Sequence, residues 1–259
     1  MVNKIKTPSR LNHAALVFLM ALVFCGISIH AQQSEVLFAF EQTRTKVTTL
    51  LANEQYDAAY HAWEDLPDAQ LDPLQRIEKY FGTAFCGLKA GHSDAVYNMQ
   101  YFAQKYPLSA HADQASFLIA LYYFEKNQFG NAREWLTKVS QDNLSPIELP
   151  HYHFMMGYSS FVLGKFAAAK PHFLAARKDQ RFNQAAHYYL GFMNYSEGQF
   201  IIAQESFDQL EVNSKYHKQM LLLRADMSFK MGDYQKAIDW AQASFSVASA
   251  QEKNTLHRL

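Results

Sequence analysis

Three histidines are the strongest candidates for metal chemistry in this chain. His151 and His153 flank Tyr152, and His172 follows further along the sequence. Residues two positions apart point to different sides of a helix, so the first two histidines would chelate a metal poorly there. They could meet a metal only in a loop after Pro150, and solvated histidines are the commoner outcome. We therefore predict no metal and no cofactor.

The other reactive side chains predict no catalytic site. The sequence contains no Gly-rich phosphate loop, no His-Glu-x-x-His motif and no nucleophile elbow. We expect the carboxylates of Glu64, Asp68 and Glu134 to lie on solvated faces. Cys86 stands in an apolar helical stretch, which favours a small buried hydrophobe over a reactive thiol. The chain is therefore predicted not to be an enzyme.

An internal repeat with a period of 34 residues organises the second half of the chain. Gly164, Gly198 and Gly232 carry the period, and each is followed two residues later by an aromatic residue. Further columns keep the same register, which indicates repeated structural units. These columns contain Ala169, Ala203 and Ala237 downstream and Gly157, Gly191 and Ala225 upstream.

Looser copies of the pattern extend toward the N-terminus and bring the predicted number of units to six. Their turns are expected near residues 54, 90, 127, 164, 198 and 232. The predicted units span residues 36–70, 73–107, 112–146, 150–180, 184–213 and 217–250. Residues 1–31 would form a signal peptide, residues 32–250 the repeat array, and residues 251–259 a tail or the start of a further helix.

Each unit has the pattern of two helices joined by a tight turn. In the fourth unit Gly164 ends the first helix, because glycine adopts the left-handed backbone at a helix end without steric cost. The small residues Gly157 and Ala169 would let the two helices approach closely. Pro171 lies inside the second helix, where we expect a local bend.

This pattern resembles the tetratricopeptide repeat (TPR) over about residues 35–250. The family's first helix has an apolar residue followed by a small one, as in Met156-Gly157 and Leu190-Gly191. Its second helix has an alanine, an aromatic and a further small or apolar residue, as in Ala169, Phe173 and Ala176. The resemblance implies an all-α fold, an α-solenoid of about six helix-turn-helix repeats wound into a right-handed superhelix.

The segment from Tyr101 to Pro107, YFAQKYP, is similar to the outer-membrane-assembly and Tol-Pal-associated branch of envelope repeat proteins. In the TPR family the first helices line a concave face that binds a protein or peptide partner. The aromatic and apolar side chains of these first helices either pack against the neighbouring helix or form a true binding groove. The sequence leaves both interpretations open. The candidates are Phe117, Leu121, Phe124, Phe154, Tyr158, Phe161, Tyr188, Phe192 and Tyr195.

The N-terminal residues predict export. A positive start is followed by an apolar run from Ala14 to Gly26 and by the small residue Ala31, the order found in secretory signal peptides. The run is shorter than the roughly 20 residues that cross a bilayer, which favours cleavage over an anchor. Cys25 resembles a lipoprotein attachment site, although Phe24 precedes it, and only lipidation there would tether the chain to a membrane. The expected location is the periplasm or the outer membrane.

The charge of the chain and its C-terminal sequence pattern limit which kinds of partner we expect. The chain has 24 basic and 24 acidic residues, and cleavage after Ala31 would remove three of the basic ones. Such a chain has no general attraction for nucleic acid. Solenoids usually end on a polar face, so the last apolar face here is expected to meet a second copy, a capping partner or a longer parent chain.

A different function class stays open beside protein binding. Tryptophan faces stack on sugars, so a peptidoglycan- or polysaccharide-associated module would use Trp63 and Trp135 first. Their spacing also fits packing between helices.

Overall fold

The computed structural model describes residue 35 and residues 37–256, with the backbone alone for residue 70 and residues 247–256. The predicted signal peptide and Cys25 lie outside the described residues. Within them every regular element is a helix. None of the helices in this part of the chain has the length and apolarity that a membrane span requires.

The chain divides after Ser109 into two compact units, each built from consecutive helical hairpins. The first unit contains α1 (37–52), α2 (Tyr56–Glu64), α3 (Pro73–Ala90) and α4 (Ala95–Lys105). The second contains α5 (Ala112–Glu125), α6 (Phe129–Leu136), α7 (Glu148–Val162), α8 (Phe166–Ala176), α9 (Asn183–Ser196), α10 (Phe200–Phe207), α11 (His217–Lys230) and α12 (Tyr234–Leu256). Short 3-10 turns lie at Asp68–Gln70 and Gln141–Asn143.

A residue with left-handed backbone stands at each of the six hairpin turns. Four are glycines with φ between 70° and 81°, and two are non-glycine residues, Glu54 at 56° and Asn127 at 58°. The left-handed region is costly for most residues with a Cβ, which explains why glycine prevails. The predicted turn positions are confirmed, with the turn near residue 90 centred on Gly91. The glycines are Gly91, Gly164, Gly198 and Gly232.

The two helices of a hairpin touch where a glycine faces a phenylalanine. A Cβ added to Gly157 would lie 3.2 Å from the Phe173 ring, and one added to Gly191 would lie 2.4 Å from the Phe207 ring. Both phenylalanines are fully buried. The expected close approach of the helices is confirmed, and it depends on a missing side chain.

The buried cores of the second unit are shared between neighbouring hairpins. One joins Ala169 and Phe173 of α8 to Leu190 and Met193 of α9. The next joins the second helix α10 to the first helix α11 in the same way, with Phe207 at its centre. Each hairpin therefore completes its apolar packing only when its neighbour is folded, as in other repeat proteins.

The first unit has its own core, formed by side chains of α1, α2 and α3. Trp63 and Cys86 are both buried in it, at 4% and 0% exposure. Burial raises the pKa of the Cys86 thiol to about 11, so the thiol stays protonated at neutral pH. Cys86 is therefore the small buried hydrophobe that its sequence context predicts.

Two local features complete the description. The helix α8 continues through Pro171 to Ala176, so the proline does not end it. Residues 251–256 continue α12, which makes this helix 23 residues long, and they do not start a further helix.

The glycine contacts predict unequal costs for two identical substitutions. Gly191→Ala should destabilise the chain by about 1–3 kcal/mol, because its new methyl group overlaps the buried Phe207 ring. Gly157→Ala should cost less, since its contact needs only a small shift and alanine favours the helix by about 0.5–1 kcal/mol. Urea unfolding followed by circular dichroism measures both. Equal midpoints for the two variants would contradict the packing described here.

Candidate partner-binding face

The nine predicted partner-binding residues lie on the first helices of three consecutive hairpins, α5, α7 and α9. Phe117 is buried, with 4% of its surface exposed, and belongs to the core. The other eight are half-buried. These eight therefore pack against neighbours on one side and keep part of their surface accessible. This is consistent both with packing between helices and with a binding groove, the two interpretations left open by the sequence.

The aromatic members form a continuous series of ring contacts, which we call the aromatic ladder. Phe124 of α5 lies 5.6 Å from Tyr158 of α7, measured between ring centroids. Phe161 of α7 lies 5.6 Å from Phe192 of α9. The ladder therefore connects three hairpins and holds its rings in fixed positions. Its members are Phe124, Phe154, Tyr158, Phe161, Tyr188, Phe192 and Tyr195.

Two further aromatic residues, absent from the sequence-based set, cover the ladder. Phe182 stacks on Phe154 at 4.7 Å and 15°, and Tyr216 stacks on Tyr188 at 4.5 Å and 16°. Each stands just before the first helix of the next hairpin and packs back onto the preceding one. They are 34 residues apart, so the repeat period itself could have identified them.

The ladder continues into α11, where its positions become exposed. Counting 34 residues onward from Tyr188 and Tyr195 gives Leu222 and Phe229. Leu222 is 51% exposed and Phe229 is 62% exposed. The sequence-based set ends in α9 and contains neither residue. We call these two residues the open end of the ladder.

A polar cluster joins the last ring of the ladder to α11. The Tyr195 hydroxyl donates to the Asp226 carboxylate, and Lys230 donates to the same hydroxyl at 3.0 Å. Lys230 also pairs with Asp226 at 2.7 Å. Lys230 and the Tyr195 hydroxyl hold the pKa of Asp226 below its usual range. The open end is thus bordered by one fixed positive and one fixed negative charge.

The structure separates the candidate histidines as the spacing predicts. His151 stacks on Phe182 at 5.3 Å, whereas His153 faces the other way and contacts His172. The two Nδ1 atoms of His153 and His172 are 3.1 Å apart, so one nitrogen donates and the other accepts. In the described part of the chain, no three His, Cys, Asp or Glu residues come together as a metal site.

Neither tryptophan proposed for sugar stacking offers a free ring face. Trp63 is 4% exposed and Trp135 is 8% exposed. Trp135 also carries the Lys138 ammonium 3.7 Å from its ring centroid. Both rings are packing residues, because a stacking platform needs a face open to the ligand.

Comparison with known proteins agrees with this geometry. Residues 154–200, which run from within α7 through α8 and α9, match the sequence profile of the tetratricopeptide repeat. Over this stretch the chain is similar to the TPR family. The ladder residues of α7 and α9 lie within the matched stretch, and Phe124 of α5 lies outside it.

Two solved structures are similar to this chain. The structure from the functional characterisation of Pseudomonas aeruginosa PilF is 15% identical, covers 83% of this chain and 99% of that chain, and has a TM-score of 0.52. At this identity the likeness shows the fold alone. The Rap conjugation gene regulator of plasmid pLS20 in complex with the Phr* peptide is 16% identical, covers 85% and 74%, and has a TM-score of 0.38, too low to support an argument. No curated protein matches the chain.

The buried histidine pair predicts that acid weakens the TPR hairpin formed by α7 and α8. Burial, followed by the charges of His153 and Arg133, lowers the pKa of His172 to about 4, against an ordinary 6.5. Between these values the unfolded chain binds more protons than the folded one, so stability is lost as pH falls from about 6.5 to about 4.

The replacement His172→Asn should reduce the acid-induced loss in the free energy of unfolding by on the order of 1 kcal/mol. This figure is a reduced one because the ring is only half-buried. Melting temperatures at pH 7 and pH 5 measure the effect. A slope that H172N does not alter would refute this assignment.

Proposed function

We propose that this chain is a non-catalytic scaffold that binds a protein partner along the aromatic ladder and its open end. TPR folds generally serve protein–protein interaction and not catalysis, which supports the proposal that the chain is a non-catalytic binding scaffold. The finer part, which surface the partner contacts, rests on the residues of α9 and α11.

The observation that carries the proposal is the exposure of Leu222 and Phe229 in ladder register. At the equivalent positions of α7 and α9, rings of the following hairpin cover the ladder. A partner that places apolar side chains on Leu222 and Phe229 would repeat the same packing. Such burial is favourable by roughly 25 cal/mol per Å² of apolar surface, and rigid rings lose little entropy.

Charge at the open end supports a polypeptide partner. Asp226 and Lys230 border the apolar residues with one charge of each sign. A helix or extended segment that carries both apolar and polar side chains can match this border, which sets orientation more than affinity.

We further propose that the partner belongs to the bacterial envelope. The support is the order of positive, apolar and small residues in positions 1–31, together with the YFAQKYP segment that resembles envelope repeat proteins. Export to the periplasm or the outer membrane remains part of this proposal, as does the possibility that the partner is a second copy of the chain.

The double replacement Leu222→Ser with Phe229→Ser tests the docking surface. Both side chains are exposed, so the free energy of unfolding should change by no more than about 0.5 kcal/mol for each. In-cell cross-linking should recover an envelope protein with the wild type and at least about tenfold less with the double variant. Sedimentation of the purified chain shows whether a second copy is that partner.

The matched control is Leu174→Ser with Ile201→Ser. These residues are also exposed, at 44% and 70%, but lie on the second helices α8 and α10. The control should retain the cross-link. Equal recovery with both double variants would place the partner away from the ladder.

A further inference from the structure

A cavity of about 390 Å³ lies within the first unit, between α2 and α4 and against α3. This volume falls within the range of roughly 300–1,000 Å³ typical of small-ligand sites. Tyrosine rings, one lysine and several polar groups line it. The lining residues used below are Tyr60, Glu64, Tyr80, Asn98, Tyr101 and Lys105, with Tyr106 beside them.

The positive charge of Lys105 is held by rings and not by a carboxylate. Its ammonium lies 5.4, 5.2 and 5.4 Å from the ring centroids of Tyr80, Tyr101 and Tyr106. Among the residues whose side chains the structure describes, none forms an ion pair with Lys105. The other lining lysine, Lys79, is paired with Asp68 at 2.6 Å. Lys105 is thus the lining cation that can still receive an anion.

The tyrosine hydroxyls near Lys105 complete a set of donors for that anion. The neighbouring hydroxyls of Tyr101 and Tyr106 raise the pKa of Lys105, so the lysine stays charged at neutral pH. A hydroxyl that accepts from lysine still has its own proton to donate. One carboxylate could therefore receive hydrogen bonds from the ammonium and from a hydroxyl, and charge-assisted bonds of this kind are strong.

The rest of the wall offers acceptors. The Tyr60 hydroxyl donates to Glu64 at 2.7 Å, and the Tyr80 hydroxyl donates to Asp68 at 2.6 Å, so both hydroxyl oxygens can accept from a ligand. The Asn98 amide nitrogen donates to Asp94, which leaves its carbonyl oxygen to accept. A ligand that fits this wall must donate hydrogen bonds as well as carry an anion.

A cavity in a similar position of the second unit shows which features are particular to the first. That cavity, of about 480 Å³, lies between α8 and α10 and against α9. Among the described residues it is lined by aliphatic, amide and charged side chains with His187, and by no phenylalanine, tyrosine or tryptophan. Hairpin stacking therefore produces the space in both units, whereas the tyrosines belong to the first cavity alone of these two.

We propose that the cavity of the first unit binds an acidic sugar, a pyranose ring that carries one carboxylate. The apolar face of the ring would lie on tyrosine, its hydroxyls would donate to Glu64 and Asn98, and its carboxylate would bind Lys105. An aromatic acid satisfies the lysine but has no hydroxyls for the acceptors. The site shares no residue with the aromatic ladder, so this proposal does not depend on the protein-docking function.

Titration of the purified chain with glucuronate, glucose and 3-phenylpropionate, followed by NMR, tests this assignment. Glucuronate should bind, and glucose should bind at least about tenfold more weakly because it lacks the carboxylate. Lys105→Met should weaken glucuronate binding by a similar factor, and Tyr101→Phe should weaken it by less. Circular dichroism should show that both variants stay folded, since Lys105 and Tyr101 are exposed.

The matched control is Arg177→Met, which removes an exposed cation from the cavity of the second unit. It should leave glucuronate binding unchanged. The proposal is overturned by any of three results: no binding of glucuronate, equal binding by the Lys105 variant and the wild type, or tighter binding of 3-phenylpropionate than of glucuronate.

Discussion

The packing of one buried ring between two hairpins is the interaction on which the rest of the second unit depends. Phe207 of α10 lies against Gly191 of α9, within its own hairpin, and joins the core of α11, in the next one. Phe173 is placed in the same way one repeat earlier. Because the ring is shared, the first helices are held side by side, and their outward rings form the ladder. The surface proposed for docking is thus a consequence of how the repeat obtains its stability.

Much of this could be predicted from the sequence, because the repeat period reports on backbone positions that the fold cannot change. A turn with left-handed backbone needs glycine or a residue that tolerates positive φ, and a close contact between two helices needs a glycine, which has no side chain. These constraints marked all six turns and the Gly157 and Gly191 contacts. The period also relates Phe182 to Tyr216 and carries the ladder positions on to Leu222 and Phe229, but it does not encode which of these side chains is exposed.

Other features depend on three-dimensional proximity that a period does not encode. The distance between His153 and His172 follows from how α7 and α8 cross, and the buried Phe117 lies against His151 of the hairpin that comes after it. The cavity around Lys105 combines residues from three helices, among them the YFAQKYP segment whose residue types could suggest a family branch but not a binding site.

Hydrogen exchange on a Phe207→Ala variant tests the shared-core claim most directly. If the ring stabilises both of its neighbours, amide protection should fall together in α9, α10 and α11, in two hairpins at once. Protection lost in α10 alone, with α9 and α11 unchanged, would mean that each hairpin is stable by itself and would contradict the account.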